Sequence, residues 1–234
     1  MAFRFKQFSI LDDQCAMKVG VDGVLLGAWA DVSDAKSILD IGTGSGVIAL
    51  MLAQRSEAII HAVEIDRDAA KQAGINATNS PWVDSVKVKH ASVQDFVRSN
   101  KLQFDLIVCN PPYFINSLLS HAPGRNQARH AGDLSYNDLA ESFAKLTAPT
   151  GKCCVILPVP ESRLFESIMR NIGFASSRKL VIYPKPGKLA NRVLMQFEHE
   201  PVKKVIEESL YIRDVTNTYS EGYKKLTGDF YLAF

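Results

Sequence analysis

The tetrapeptide Asn110-Pro111-Pro112-Tyr113 follows directly on the apolar run Phe104 to Cys109. Proline fixes its own φ and offers no ladder donor, so two in a row end a strand abruptly. They also hold the residue before them extended. Asn110 is thereby presented on a stiff mount, with an amide oxygen that accepts and an amide nitrogen that donates. Tyr113 adds a flat aromatic face. The same four residues describe a plain strand exit equally well, so the rest of the chain has to decide.

A second cluster is Asp40-Ile41-Gly42-Thr43-Gly44-Ser45-Gly46. Glycines at alternate positions let the backbone turn tightly and leave no side chain between it and a ligand. Glu64 stands 18 residues beyond Gly46, where a carboxylate can accept hydrogen bonds from a ribose diol. A strand before the loop, a helix after it and an acid ending the next strand together point to an adenosine-containing cofactor. The dinucleotide fingerprint is G-x-G-x-x-G, with a helix N-terminus offered to a pyrophosphate. Here the spacing is G-x-G-x-G and Asp40 precedes it, which suits an amino-bearing or cationic ligand better than a diphosphate.

The elements that must position these residues alternate. Strands are expected at Ser37 to Ile41, Ala58 to Ile65, Val86 to His90, Phe104 to Cys109, Gly151 to Leu157, Arg178 to Tyr183 and Val193 to His199. Helices are expected at Ser45 to Arg55, Asp66 to Asn79 (capped by Asp66), Leu134 to Ala148 (capped by Ser135) and Glu161 to Asn171. Such alternation predicts an α/β fold: a doubly wound, mainly parallel seven-stranded sheet with helices on both faces. The last two strands are joined by a loop, so one antiparallel strand is expected. Residues 1–35 read as short strands (Phe3 to Leu11, Cys15 to Val19) and a helix (Asp22 to Ala30) packing on the core. A single domain is expected, with 36–200 as the core and 201–234 as a C-terminal extension.

The bulk numbers agree. The 234 residues are enough for one large domain or two small ones, and 47% hydrophobic with 22% charged content reads as an ordinary soluble protein with a sizeable core. No apolar run approaches a membrane span and no signal pattern opens the chain. Four cysteines without a CxxC pair read as reduced and buried, which fits a cytoplasmic location. Five scattered histidines suggest no metal site. Net charge is only +2, yet Ser167 to Phe197 holds no acid and carries Arg170, Arg178, Lys179, Lys185, Lys188 and Arg192. That is a local basic footprint, although short charge runs are usually solvated surface.

The pattern over residues 36 to 200 resembles class I S-adenosylmethionine-dependent methyltransferases. On that resemblance Asp40, Gly42, Thr43, Gly44 and Gly46 form the cofactor loop, Glu64 is the ribose ligand, and Asn110 lies beside the cofactor. Asp95, in Ser92-Val93-Gln94-Asp95-Phe96, is then the acid that contacts the adenine amino group; a helix cap is its plain alternative. Asn110-Pro111-Pro112-Tyr113 resembles the (D/N/S)-PP-(Y/F) signature of enzymes that methylate planar exocyclic or amide nitrogens. Asn110 Oδ1 and the Pro111 carbonyl would hold both N–H bonds of the amine, and Tyr113 would stack on the base, worth roughly 1–3 kcal/mol. Positioning rather than a strong base would carry the reaction.

Met17 to Trp29, Ala128-Arg129-His130 and the basic loop Pro184 to Arg192 are similar to the bacterial tRNA1(Val) adenine-N6 methyltransferase family. Val21 stands where threonine is expected. The resemblance implies a tRNA partner, adenine 37 as target, S-adenosylmethionine as donor and S-adenosylhomocysteine as product. Arg125, Arg129 and His130, with Lys185, Lys188 and Arg192, would grip tRNA phosphates. Lys18 and Asp22 either close over the cofactor or cap the helix from Asp22. A monomer without metal or membrane is assumed. Competing readings are protein glutamine N5-methylation, an rRNA or DNA amino methyltransferase, and a catalytically idle RNA-binding module.

Overall fold

A computed structural model describes residues 2–112 and 134–234. Along the chain run β1 (Phe3–Arg4), β2 (Ser9–Ile10), α1 (Val21–Trp29), β3 (Ser37–Ile41), α2 (Val47–Arg55), β4 (Ile59–Glu64) and α3 (Arg67–Thr78). Then come β5 (Val86–His90), α4 (Val93–Ser99), β6 (Phe104–Cys109), α5 (Tyr136–Leu146), β7 (Thr147–Pro158) and α6 (Val159–Asn171). The chain closes with β8 (Phe174–Tyr183), β9 (Arg192–His199), β10 (Ile206–Tyr211) and α7 (Glu221–Thr227).

Among the described residues the main sheet has eight strands in the order β10-β8-β9-β7-β6-β3-β4-β5, and β1 and β2 form a separate hairpin. Only β9 runs antiparallel to its neighbours in the main sheet, as expected from the loop before it. The expected count of seven is corrected by β10, which pairs in parallel with β8. Its sequence, Ile-Glu-Glu-Ser-Leu-Tyr, is exposed at all but one position; a solvated edge strand has no buried face to print alternation on the sequence. Cys15 to Val19 is not a strand either. Asp12 and Lys18 fold that segment into a turn through side-chain bonds to its own backbone.

Period-two alternation along the central strands divides the core in two. Ile38, Ile60, Ala62, Leu106, Val108, Cys154 and Ile156 face α1 and α2. Leu39, Ile41, Val63, Ile107, Cys109, Cys153 and Val155 face the side of α5 and α6, with Phe143, Phe165 and Phe174. The four cysteines are buried thiols. A sheet covered on both faces gives near-continuous apolar strands, so every strand must end in a loop that carries polarity. Among the described residues no helix is long and apolar enough to cross a membrane.

The two chain ends close on each other. Phe5 bridges Tyr231, and Lys6 Nζ donates to the carbonyls of Gly228 and Phe234 at 2.6 and 2.8 Å. Phe5, Phe8, Tyr223 and Phe230 are buried in the same apolar cluster as α1 and α2.

Candidate active site

The glycine loop, Glu64 and the tetrapeptide meet at the carboxyl edge of the sheet because three neighbouring parallel strands end together. Ile41 pairs with Cys109 on one side and with Val63 on the other. The next residues are Gly42, Asn110 and Glu64. The N–H groups of Gly42 and Thr43 both donate to the Val63 carbonyl, at 2.8 and 3.1 Å, which folds the loop back over β4. Gly42 and Gly44 have φ of +68° and +54°, and a Cβ on either would meet nothing within 4 Å. They border open space, which is what a cofactor lying on bare backbone requires. Gly46 serves packing instead: a Cβ there would sit 3.4 Å from the Cβ of Ala73 on α3.

Asp40 is fully buried. Its Oδ2 accepts from the Thr43 hydroxyl at 2.6 Å, while Oδ1 has no hydrogen-bond partner among the described residues. Desolvation pushes its carboxyl up to about 7, opposed by the Thr43 hydroxyl and the backbone N–H of Ala49, with the nearby Glu64 charge adding a smaller push in the same direction. Glu64 is 8% exposed. One of its oxygens accepts the Gly44 N–H at 2.8 Å and the other the Asp66 N–H at 2.9 Å. A carboxylate offers about four lone-pair sites, so two backbone amides fix its orientation and leave capacity for a diol.

Asn110 is half-buried, Pro111 buried and Pro112 exposed. Asn110 Oδ1 is buried and has no hydrogen-bond partner among the described residues, an arrangement that costs stability unless something else fills it. Cys109, just before it, has its thiol pushed far up by burial, with Asp40 and Glu64 adding charge. Tyr113, Arg125, Arg129 and His130 lie outside the described residues.

Asp95 is the third residue of α4 and is exposed. It accepts from Ser92 Oγ at 2.7 Å, its own N–H donates back to Ser92 Oγ at 3.0 Å, and it pairs with Arg98. Those bonds hold its carboxyl below the usual carboxylate range, Ser92 most of all. The helix-start role is therefore in place, and Asp95 bonds no group of the glycine loop. The backbone just before it is nonetheless tied to the site, since the Ala91 N–H donates to the Glu64 carbonyl at 2.9 Å.

Asp22 does not cap α1, whose N-cap Gly20 makes no side-chain bond. It accepts from Arg192 Nε at 2.9 Å, joining the first turn of α1 to the first residue of β9. Arg192, expected on phosphate, is thus engaged inside the protein. Lys18 ties its own turn through the carbonyls of Asp12 and Cys15. Lys185 and Lys188 are exposed on the β8–β9 loop, which emerges at the carboxyl edge because β8 runs parallel to β7.

One positioning residue escaped the sequence reading. Asn76, buried in α3, donates to the carbonyls of Ser45 and Leu11 at 2.8 and 2.7 Å and accepts the Leu11 N–H at 2.9 Å. It pins the glycine loop and the N-terminal segment to one helix. The available signal was an asparagine inside an otherwise good helical run, where that residue is a poor helix former.

A family model described as methyltransferase small domain matches residues 22–126. Two relatives bear the name tRNA1(Val) (adenine(37)-N6)-methyltransferase. One, from Bacteroides fragilis, is 45% identical over 98% of this chain and 97% of its own. The other, from Trichodesmium erythraeum, is 45% identical over 99% and 98%. Among solved structures, a predicted O-methyltransferase from Agrobacterium tumefaciens has a TM-score of 0.71 at 18% identity, covering 89% of this chain and 96% of its own. The ribosomal protein L11 methylase of Lactobacillus delbrueckii has a TM-score of 0.59 at 16% identity, covering 82% and 84%. Those two likenesses concern the fold, which is that of a class I methyltransferase. With near-full-length relatives at this identity and the glycine loop, Glu64 and Asn110-Pro111-Pro112 assembled at one sheet edge, the chain belongs to the tRNA1(Val) (adenine(37)-N6)-methyltransferase family.

Proposed function

We infer that the protein transfers a methyl group from S-adenosylmethionine to the exocyclic N6 of an adenine in tRNA, at position 37 of tRNA1(Val). Two buried oxygens at one sheet edge, without a hydrogen-bond partner among the described residues, carry this reading: Asp40 Oδ1 beside the glycine loop and Asn110 Oδ1 at the head of Pro111-Pro112. Each waits for a donor, and an amino group is the donor both ends of the reaction offer.

The residues present fit the cofactor. Gly42 and Gly44 leave open backbone, Glu64 has lone pairs left for a ribose diol, and Asp40 Oδ1 can accept from an amino group directly or through water. S-adenosylmethionine supplies a methyl group that is already electrophilic because its sulfur is cationic. The protein's own task is therefore placement. The adenine nitrogen is a poor nucleophile because its lone pair is delocalised into the ring. Asn110 Oδ1 and the Pro111 carbonyl can accept its two N–H bonds and turn the lone pair out of the ring plane. The stiff Pro-Pro mount keeps those acceptors from relaxing away. Tyr113 is proposed to stack on the base, and Arg125, Arg129 and His130 to hold RNA beside it.

Asn110→Ala should keep S-adenosylhomocysteine affinity within about twofold and lose methyl transfer by 10²-fold or more, the scale seen when a transition-state hydrogen-bonding group is removed. Full turnover by that variant would remove the central role of the tetrapeptide. The substrate class is tested by incubating the protein with labelled S-adenosylmethionine and total tRNA, total rRNA or release factors. Label is expected in tRNA as N6-methyladenine; label in a release factor would mean glutamine methylation instead.

A further inference from the structure

We propose that the C-terminal extension and the β8–β9 loop together form a second RNA-docking groove, which grips the tRNA backbone away from the target base. The groove is open, about 730 Å³ in volume, and is lined by Pro184, Lys185, Lys188, Leu189, Ile212, Arg213 and Asn217. Three of these are cations and none is a carboxylate. Leu189 of the lining is 90% exposed, and Val215, in the turn that follows Arg213, is 84% exposed.

The far wall is a built finger. Arg213 bridges Tyr219 in antiparallel fashion, and its guanidinium lies 4.6 Å from the centre of the Tyr219 ring. One Arg213 Nη donates to the Asn217 carbonyl at 2.7 Å. A guanidinium carries five N–H donors, so most remain for a phosphate. The nearest acid in sequence, Asp214, turns its oxygens toward its own loop. Its oxygens accept from the Thr216 hydroxyl at 2.7 Å, the Thr218 hydroxyl at 2.8 Å and the N–H of Thr216 and Thr218, which consumes the carboxylate inside the turn. The finger thus presents a cation, a ring face and an aliphatic tip, while the Asp214 carboxylate, held ionised by those bonds, is not among the residues that line the groove. Phosphate contacts from cations and apolar contacts to unstacked bases are how single-stranded RNA loops are held.

Position argues for the same partner as the active site. β8 and β10 both run parallel to β7, so their ends, Tyr183 and Tyr211, which pair with each other, lie on the edge that carries Asn110. β7 and β9 stand between β6 and β8. At about 4.8 Å per strand the groove is roughly 14 to 19 Å from the tetrapeptide. That is too far to hold the target adenine and suitable for the backbone of the same RNA.

The proposal rests on tRNA being the substrate, and binding can be read separately from methyl transfer. In vitro transcribed tRNA1(Val) is titrated against wild type, Lys188→Glu and Arg213→Glu at several salt concentrations. Each variant should bind at least fivefold more weakly, and the slope of log affinity against log salt should fall by about 1. S-adenosylhomocysteine binding, measured by calorimetry, should stay as in wild type and certifies the fold. Lys188 is an exposed loop residue, so its variant keeps the test valid if Arg213→Glu does not fold. Unchanged affinity and slope in a folded Lys188→Glu would overturn the groove, including the case in which a protein occupies it. Wild type that binds tRNA with the expected slope but never methylates it would leave the groove standing and remove the catalytic reading.

Discussion

Asp40 concentrates the electrostatics of the site in one side chain. Its carboxyl is held near 7 against an ordinary 3.8, chiefly by burial. A carboxyl raised in the folded state keeps its proton where the unfolded chain has lost it. Its contribution to stability is therefore complete below the ordinary value and disappears as pH rises through about 7. Binding runs the other way, since an amino-bearing cofactor end is held better by the charged form. S-adenosylmethionine affinity should tighten by up to about tenfold per pH unit below 7 and level off above it. Asp40→Asn should abolish that dependence and flatten the loss of stability of the cofactor-free protein between pH 4 and 7, as read by calorimetry and thermal melts. A wild-type affinity independent of pH would show that the Asp40 charge plays no part.

At the scale of elements, the loop is only as well placed as the helices under it. α1 crosses α2 closely because it carries Gly23 and Gly27. A Cβ at Gly27 would lie 2.9 Å from Met51 Sδ and 3.0 Å from its Cβ, and Met51 is completely buried. Gly27→Ala gains the usual helix propensity of alanine, up to about 1 kcal/mol, but forces the helices apart. Overpacking typically costs about 1–3 kcal/mol, so a lower denaturation midpoint is expected, with weaker cofactor binding because α2 begins at the loop. A variant more stable than wild type would mean that Met51 simply moves aside. The same helix is held to the far half of the sheet by Asp22 and Arg192, whose half-buried pair links it to the start of β9.

At the scale of the molecule, the C-terminal extension belongs to the core. Leu210, Tyr223 and Phe230 are buried in the cluster that holds α1 and α2. Removing such side chains costs about 2–5 kcal/mol each, against a total stability of about 5–15 kcal/mol. A chain ending at Glu200 should therefore fail to unfold cooperatively or melt at least 10 °C lower by circular dichroism. If it melts like the full chain, residues 201–234 are a separable appendage and not part of one domain.

Much of this was legible in the sequence for one physical reason: buried strands and helices print their periods on the chain, and turns print glycine and proline. The central strands, the caps at Asp66 and Ser135, the antiparallel β9 of the main sheet and the glycine loop at the end of β3 all followed from local pattern. The place of Glu64 and Asn110-Pro111-Pro112 at the carboxyl edge also followed, because a strand end in a parallel sheet has one direction to face. Elements with no buried face left no such print. β10 is a polar edge strand, and the finger from Arg213 to Tyr219 is held by side-chain bonds to backbone. Partnership across distance was also invisible: Arg192 with Asp22, Asn76 with Ser45, and Lys185 and Lys188 with Arg213 are each joined only by the fold. The residue types thus determined what chemistry the chain can do. Strand order and register decided which of those residues stand together, because pairing of distant segments depends on the whole sheet and not on any window of sequence.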